Sequence, residues 1–178
     1  PLEMGQIDSD KMYNKVMKWD WGNSESLKIY HDPETRRNSI TYRTNLARLM
    51  NQLIKEGQNE KAKNIIDLAM TKMPLELYGY YSLLEPFADG YYKIGDKDKA
   101  HQLLDQLIHK YQENLNYYGK MKASDQSSIA TPIIIDIERY RSLLHTMKDN
   151  EDMVFYNKHK IAFNTYIKMF ERFERDLE

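Results

Sequence analysis

Few residues in this chain have the types and spacing that chemistry needs. Asp96-Lys97-Asp98 matches the D-x-D pattern with which many sugar-nucleotide transferases hold a divalent metal. Such a site needs a loop after a strand beside a nucleotide pocket. These aspartates instead follow Gly95 at the start of a helical run, where a carboxylate caps the first turn and favours the helix dipole. Asp8-Ser9-Asp10 reads as an N-cap in the same way. The five histidines, His31, His101, His109, His145 and His159, form no H-E-x-x-H or H-x-x-x-H pair, and zinc requires ligands that converge. Asp149-Asn150-Glu151-Asp152 lacks the glycine and glutamate spacing of an EF-hand and reads as a helix-helix turn with a cap. No G-x-S-x-G elbow and no glycine-rich phosphate loop is present. No catalytic residue, metal or cofactor is expected, and the chain is not expected to be an enzyme by itself.

The aromatic residues can bind without catalysing. The chain holds 14 Tyr and 2 Trp against 5 Phe, and tyrosine offers a rigid apolar body with a polar tip that suits partner grooves and sugar stacking alike. Tyr78, Tyr80, Tyr81, Tyr91, Tyr92, Tyr117 and Tyr118 are clustered. Most should fill space between helices, and only those pointing outward can meet a ligand.

Composition narrows the class of partner. The 178 residues are 41% hydrophobic and 30% charged with a formal net charge of -1; there is no dense basic cluster, so nucleic acid is disfavoured. Absence of cysteine removes disulfides and thiol chemistry. The longest aliphatic run is Ile133-Ile134-Ile135, far short of the roughly 20 residues that span a bilayer, and the first 20 residues show no signal-peptide core. A soluble domain with a sizeable core is expected.

The elements that must position these residues are helices. Seven glycines and five prolines punctuate long stretches of Leu, Met, Lys, Glu, Gln and Ala whose apolar residues recur every three to four positions. Lys11 to Lys18 predicts a short helix, followed by a turn at Trp19-Asp20-Trp21-Gly22. Asp32 and Pro33 predict a helix start, with Asp32 as N-cap and Pro33 at the first helical position; Gly57 ends that helix. Further helices are predicted over about Gln58 to Met73, Leu77 to Ile94 (with Pro86 kinking it or marking a late start), and Asp96 to Tyr118. Residues 119–131 read as a connection, Thr131-Pro132 as the next start, and a last helix carries Phe163, Ile167, Phe170 and Phe173. Seven helices and no sheet are expected.

Two of these helix pairs repeat. Lys55-Glu56-Gly57-Gln58-Asn59-Glu60-Lys61-Ala62 and Lys93-Ile94-Gly95-Asp96-Lys97-Asp98-Lys99-Ala100 are one phrase 38 residues apart. Before the glycine, Leu46, Leu49, Met50 and Leu53 answer Leu84, Phe87, Ala88 and Tyr91; after it, Ala62, Ile66 and Ala69 answer Ala100, Leu104 and Leu107. The spacing resembles the tetratricopeptide repeat, with Pro74 as the closing proline. That resemblance implies an all-α fold of antiparallel helical hairpins in a right-handed array. Residues 131–178 have no glycine turn and no small-residue signature, so a capping hairpin is expected there. The organisation read from the sequence is a lead-in over 1–31, two hairpins over 32–118, and a connection plus capping hairpin over 119–178, one compact domain overall.

A longer resemblance covers about residues 8 to 118. Asp10-Lys11-Met12-Tyr13, Lys18-Trp19-Asp20-Trp21-Gly22, Arg36-Arg37, Tyr42-Arg43, Leu46-Ala47-Arg48-Leu49, Met73-Pro74, Tyr91-Tyr92-Lys93-Ile94-Gly95 and Asn116-Tyr117-Tyr118 stand in the order seen in the soluble C-terminal region of a family of bacterial multi-pass membrane proteins. That family is of unknown function and has a mannosyltransferase-like membrane part. The resemblance implies a soluble domain tethered to the cytoplasmic membrane, on its periplasmic side, with any transfer chemistry outside this chain. It makes the lead-in the stretch that follows the last membrane helix, with Trp19 and Trp21 laid against the repeat in preference to the bilayer interface.

The leading expectation is a non-catalytic scaffold that holds a protein segment or its own membrane domain. The first helices of the two hairpins would line the groove, with Thr44, Arg48, Asn51 and Lys55 on one side and Ser82, Glu85, Asp89 and Tyr92 on the other. Both charge signs and an aromatic anchor suit an extended peptide. The rival is an accessory domain that binds a glycan or lipid carrier through exposed Tyr and Trp. Paired exposed aromatics beside polar groups would favour the rival.

Overall fold

The computed structural model describes residues 7–174, and among them every regular element is helical. The chain divides into two compact units, Pro1–Ala100 and His101–Glu178. The first holds α1 (Ser9–Val16), α2 (Pro33–Lys55), α3 (Asn59–Lys72), α4 (Leu75–Tyr78), a 3-10 turn (Tyr81–Leu84) and α5 (Glu85–Lys93). The boundary lies within α6 (Lys97–Gly119); α7 (Ala123–Ser128), α8 (Ala130–Asp149), α9 (Met153–Met169) and α10 (Glu171–Glu174) belong to the second.

The caps form where the sequence places them. The Asp32 carboxylate accepts from the Glu34 and Thr35 amides at 2.9 and 3.0 Å, and Pro33 opens α2, where its missing N–H has no role to fill. Asp8 caps α1 by accepting from the Lys11 amide at 3.0 Å. Ten helices stand among the described residues against the seven expected, because α4, α7 and α10 are short pieces the periodicity does not separate. The expected Leu77–Ile94 helix is interrupted: Gly79 (φ 63°) and Tyr80 (φ 47°) are both left-handed, and the helix restarts late, with Pro86 in the first turn of α5.

The helix-ending turns carry the internal repeat into three dimensions. After α2, the Gly57 amide donates to Ile54 O at 3.0 Å and the Gln58 amide to Leu53 O at 2.8 Å. After α5, the Gly95 amide donates to Tyr92 O and the Asp96 amide to Tyr91 O, both at 2.9 Å. This is one Schellman turn used twice, and both glycines sit at positive φ, 72° and 85°. It occurs a third time where no glycine marks it. After α8, the Glu151 amide donates to Lys148 O at 3.0 Å and the Asp152 amide to Met147 O at 2.9 Å, with Glu151 at φ 58°.

Burial follows the same offsets. Eleven, eight, seven and four residues before each turn, Leu46, Leu49, Met50 and Leu53, then Leu84, Phe87, Ala88 and Tyr91, then Tyr140, Leu143, Leu144 and Met147 are all buried. The helices after the turns differ. Ala62, Ile65, Ile66 and Ala69 of α3 are all buried, whereas at the matching positions of α9 Tyr156 is half-buried, His159 and Phe163 are buried and Lys160 is exposed. α9 therefore buries one narrow stripe and leaves Val154 and Ile161 outward.

Close packing in the first unit depends on a glycine inside α5. A Cβ on Gly90 would stand 2.3 Å from Met50 Sδ and 3.2 Å from Ile66 Cδ1, so any larger residue would have to push the Met50 side chain aside for α5 to keep this approach to α2 and α3.

The left-handed Glu151 sets a stability prediction. A side chain in this conformation costs about 1 to 2 kcal/mol, part of which glycine gives back through its freer unfolded chain. Glu151→Gly should therefore raise stability by about 1 kcal/mol, read as a melting midpoint about 2 to 4 °C higher. Glu151→Ala, which keeps the Cβ, should give no such gain.

Candidate functional site

The residues expected to line a groove between the first helices all lie in the first unit, on α2, the 3-10 turn and α5, and α2 packs against α5. Thr44, Arg48, Asn51 and Lys55 form one stripe of α2, with the two middle residues half-buried and the ends exposed. Ser82 sits on the 3-10 turn and Glu85, Asp89 and Tyr92 on α5, all half-buried. Some polar heads are already engaged: Thr44 Oγ1 donates to Ile40 O at 2.8 Å, and Asp89 pairs with Lys93 one turn on. Arg48 and Lys55 supply cationic heads on α2, and Glu85 and Asp89 carboxylates on α5.

A second surface lies where the lead-in crosses α2, and local bonds shape it. Asp20 Oδ1 accepts from the Gly22 amide at 2.9 Å, and the backbone turn follows at Trp21–Ser24, two residues later than expected, with the Ser24 amide donating to Trp21 O at 3.0 Å and Gly22 and Asn23 at positive φ. The next residues are stapled to distant elements. Ser24 Oγ donates to Lys72 O at 2.8 Å at the end of α3, Tyr78 Oη of α4 donates to Ser24 O at 3.1 Å, and Lys72 pairs with Glu25 at 2.6 Å. Held in this way, both indoles rest on Tyr42 of α2. The three ring centroids are 5.6, 5.7 and 5.9 Å apart, so each ring touches the other two. Trp21 is half-buried, while Trp19 remains 39% and Tyr42 44% exposed.

Beside these rings is a cleft of about 460 Å³ lined by Trp19, Asp20, Trp21, Ser24, Thr35, Asn38, Ser39, Tyr42, Met73 and Tyr78. One turn along α2 from Ser39 is Arg43, wholly buried, with Nη2 donating to Met73 O at 2.8 Å and Nη1 to Gly79 O at 2.5 Å. Burial pulls its pKa down to about 10, so it stays charged at neutral pH. Burial also pushes the Tyr78 phenol up, so it remains a neutral donor to Ser24.

Known proteins give no further guide. No family model, curated protein or solved structure matches the chain. What the residues can do must be read from their surroundings.

The acidic motifs have structural duties. Asp96 Oδ1 accepts from the Lys99 amide at 3.4 Å, and its Oδ2 stands 3.4 Å from Lys63 Nζ. Asp67 gathers Lys63, Lys99 and the Tyr91 hydroxyl at 2.9, 2.6 and 2.9 Å. Although burial opposes ionisation, those bonds hold its carboxyl below the usual range. Asp152 caps α9 by accepting from the Phe155 amide and also pairs with His101, whose ring stacks on Phe155 at 3.8 Å. His159 Nε2 is 3.0 Å from Asp105 but misaligned for a hydrogen bond, and burial keeps the imidazole below its ordinary pKa despite that carboxylate. Among the described residues no three metal-ligating side chains converge, and no helix is long and apolar enough to cross a membrane.

Sequence reasoning found the turn beside the indoles, two residues early, but not the rest of the cleft. Asn38, Thr35 and Ser39 carry no local signal. Tyr42 and Arg43 entered only through the family resemblance, although an arginine at 43 ahead of Leu46, Ala47 and Met50 shares their helical face.

Proposed function

We propose that this chain is a non-catalytic helical-repeat interaction domain whose α2 and α5 faces hold an extended protein segment. The observation that carries this reading is the thrice-repeated turn, at Gly57, Gly95 and Glu151, with burial at the same offsets before each. Recurrence of one helix–turn–helix unit is how tetratricopeptide-like proteins build binding walls, and such walls act by shape and charge rather than by chemistry. The half-buried, mixed-charge stripes on α2 and α5 suit a peptide better than a polyanion.

The family resemblance extends the proposal. In this reading the chain is the soluble C-terminal part of a membrane-embedded, glycosyltransferase-like protein, tethered at the periplasmic face, and the segment it holds comes from its own membrane domain. A tether turns weak docking into an intramolecular event at roughly millimolar effective concentration. Purified separately, the 178-residue chain should bind that membrane portion in detergent without turning over any sugar donor. Arg48→Glu combined with Lys55→Glu should weaken this binding at least about tenfold, because reversed charges repel where they attracted. Unchanged affinity in the double variant, or donor turnover by the chain alone, would contradict the reading.

The rival, an accessory domain for a glycan or lipid carrier, is favoured by a separate observation: the exposed aromatic rings beside a polar cleft.

A further inference from the structure

We infer that the cleft beside Trp19, Trp21 and Tyr42 is a binding site for a neutral pyranose unit, free or within a glycan chain. The inference deepens the rival reading and uses none of the groove residues on α2 and α5, so either can fail alone. At about 460 Å³ the cleft lies within the usual range of small-molecule sites, about 300 to 1,000 Å³.

The lining sorts the possible ligands. Three rings in mutual contact, tilted 56°, 59° and 73° to one another, leave no room for a cation between them, so they offer separate ring faces and not the cage that takes a quaternary ammonium. Nucleobases also stack on such faces, but they bring phosphates. No lysine or arginine lines this cleft, and its one charged side chain is the carboxylate of Asp20, which repels phosphate. A pyranose satisfies both conditions. Its C–H face is apolar, its rim is hydroxyl and it carries no charge.

Polar groups stand ready for that rim. The Asn38 side chain is exposed and makes no hydrogen bond among the described residues, so it offers a donor and an acceptor together. Asp20 uses Oδ1 on Gly22 and keeps Oδ2 as an acceptor. Adjacent donors and acceptors of this kind match vicinal hydroxyls, each of which can give and take one bond. The staples from Ser24 and Glu25 to α3 and α4 fix the rings before any ligand arrives, which lowers the ordering cost of binding.

The chain's two tryptophans are both in this cleft, so emission excited selectively at the indoles, beyond the tyrosine absorption band, reports on it alone. Titration of the 178-residue chain with the methyl pyranosides of glucose, galactose and mannose, and with a linear neutral tetrasaccharide, should give a saturable change in emission for at least one of them. Millimolar affinity is expected, about -4 kcal/mol. A tetrasaccharide that binds more tightly than its methyl glycoside assigns a glycan chain; the opposite order assigns the free sugar. Asn38→Ala, an exposed change that should leave the melting midpoint alone, should weaken the response at least about fivefold, and Val154→Ser on α9 should not alter it. No saturable change with any saccharide, an equal response to choline or to adenosine monophosphate, or an Asn38→Ala variant that binds like the parent would overturn the assignment.

Discussion

Replacing Arg43 with methionine should cost the first unit about 2 to 4 kcal/mol, since two buried carbonyls lose their donor at about 1 to 3 kcal/mol each. Arg43 leaves α2 into the core and is fully buried. There its guanidinium bonds Met73 O, in the residue that ends α3, and Gly79 O, in the residue that ends α4, and it reaches Tyr80 O at 3.4 Å. Carbonyls at helix C-termini lack intrahelical partners and carry the negative end of the dipole, so one fixed cation satisfies two helix ends together. Methionine fills much of the stem's volume but donates nothing, which leaves those carbonyls unmet and frees the left-handed Gly79-Tyr80 turn. Arg43→Lys keeps the charge but has no planar fork, so an intermediate loss is expected. Urea unfolding measures both, and a loss below about 1 kcal/mol for the methionine variant would show that the turn holds without the guanidinium.

Ala62→Leu and Ala100→Leu should each lower stability by about 1 to 3 kcal/mol through overpacking. Both alanines are fully buried five residues after a turn glycine, where the helix after the turn approaches its neighbours with no space for a longer side chain. The matching residue after Glu151 is Tyr156, which is half-buried. Tyr156→Leu should therefore stay within about 0.5 kcal/mol of the parent, as substitutions outside a tight core do. Thermal melts of the three variants test the register as a set. Unchanged midpoints for both alanine variants would place the repeat in the wrong register.

The helices were legible because their signals are local. Asp32-Pro33 fixes one start, and Gly57 and Gly95 mark turns whose left-handed residue is ordinarily glycine. The third turn was legible as a capped helix-helix turn at Asp149-Asn150-Glu151-Asp152 but not as a copy of the other two, since Glu151 adopts the left-handed conformation without the residue type that announces it. Tyr80 did likewise and split a helix that periodicity draws as continuous. The cleft was legible only in part. Trp19-Asp20-Trp21-Gly22 predicts a turn two residues ahead of the observed one, but what places the indoles on Tyr42 is a set of bonds from Ser24 and Glu25 to residues 47 to 54 positions away. No local pattern encodes contacts of that span. Arg43 shows the opposite case, a polar residue on an apolar stripe whose acceptors appear only after the chain has folded.

The most direct test of the interaction surface is photocrosslinking in cells that express the complete gene. A photoreactive residue is placed at Asn51, half-buried on α2, in one variant and at Ile161, outward on α9, in another. An adduct from position 51 to a protein segment, with none from position 161, is the result the account predicts. Adducts from position 161 alone would put the partner on the second unit and contradict it.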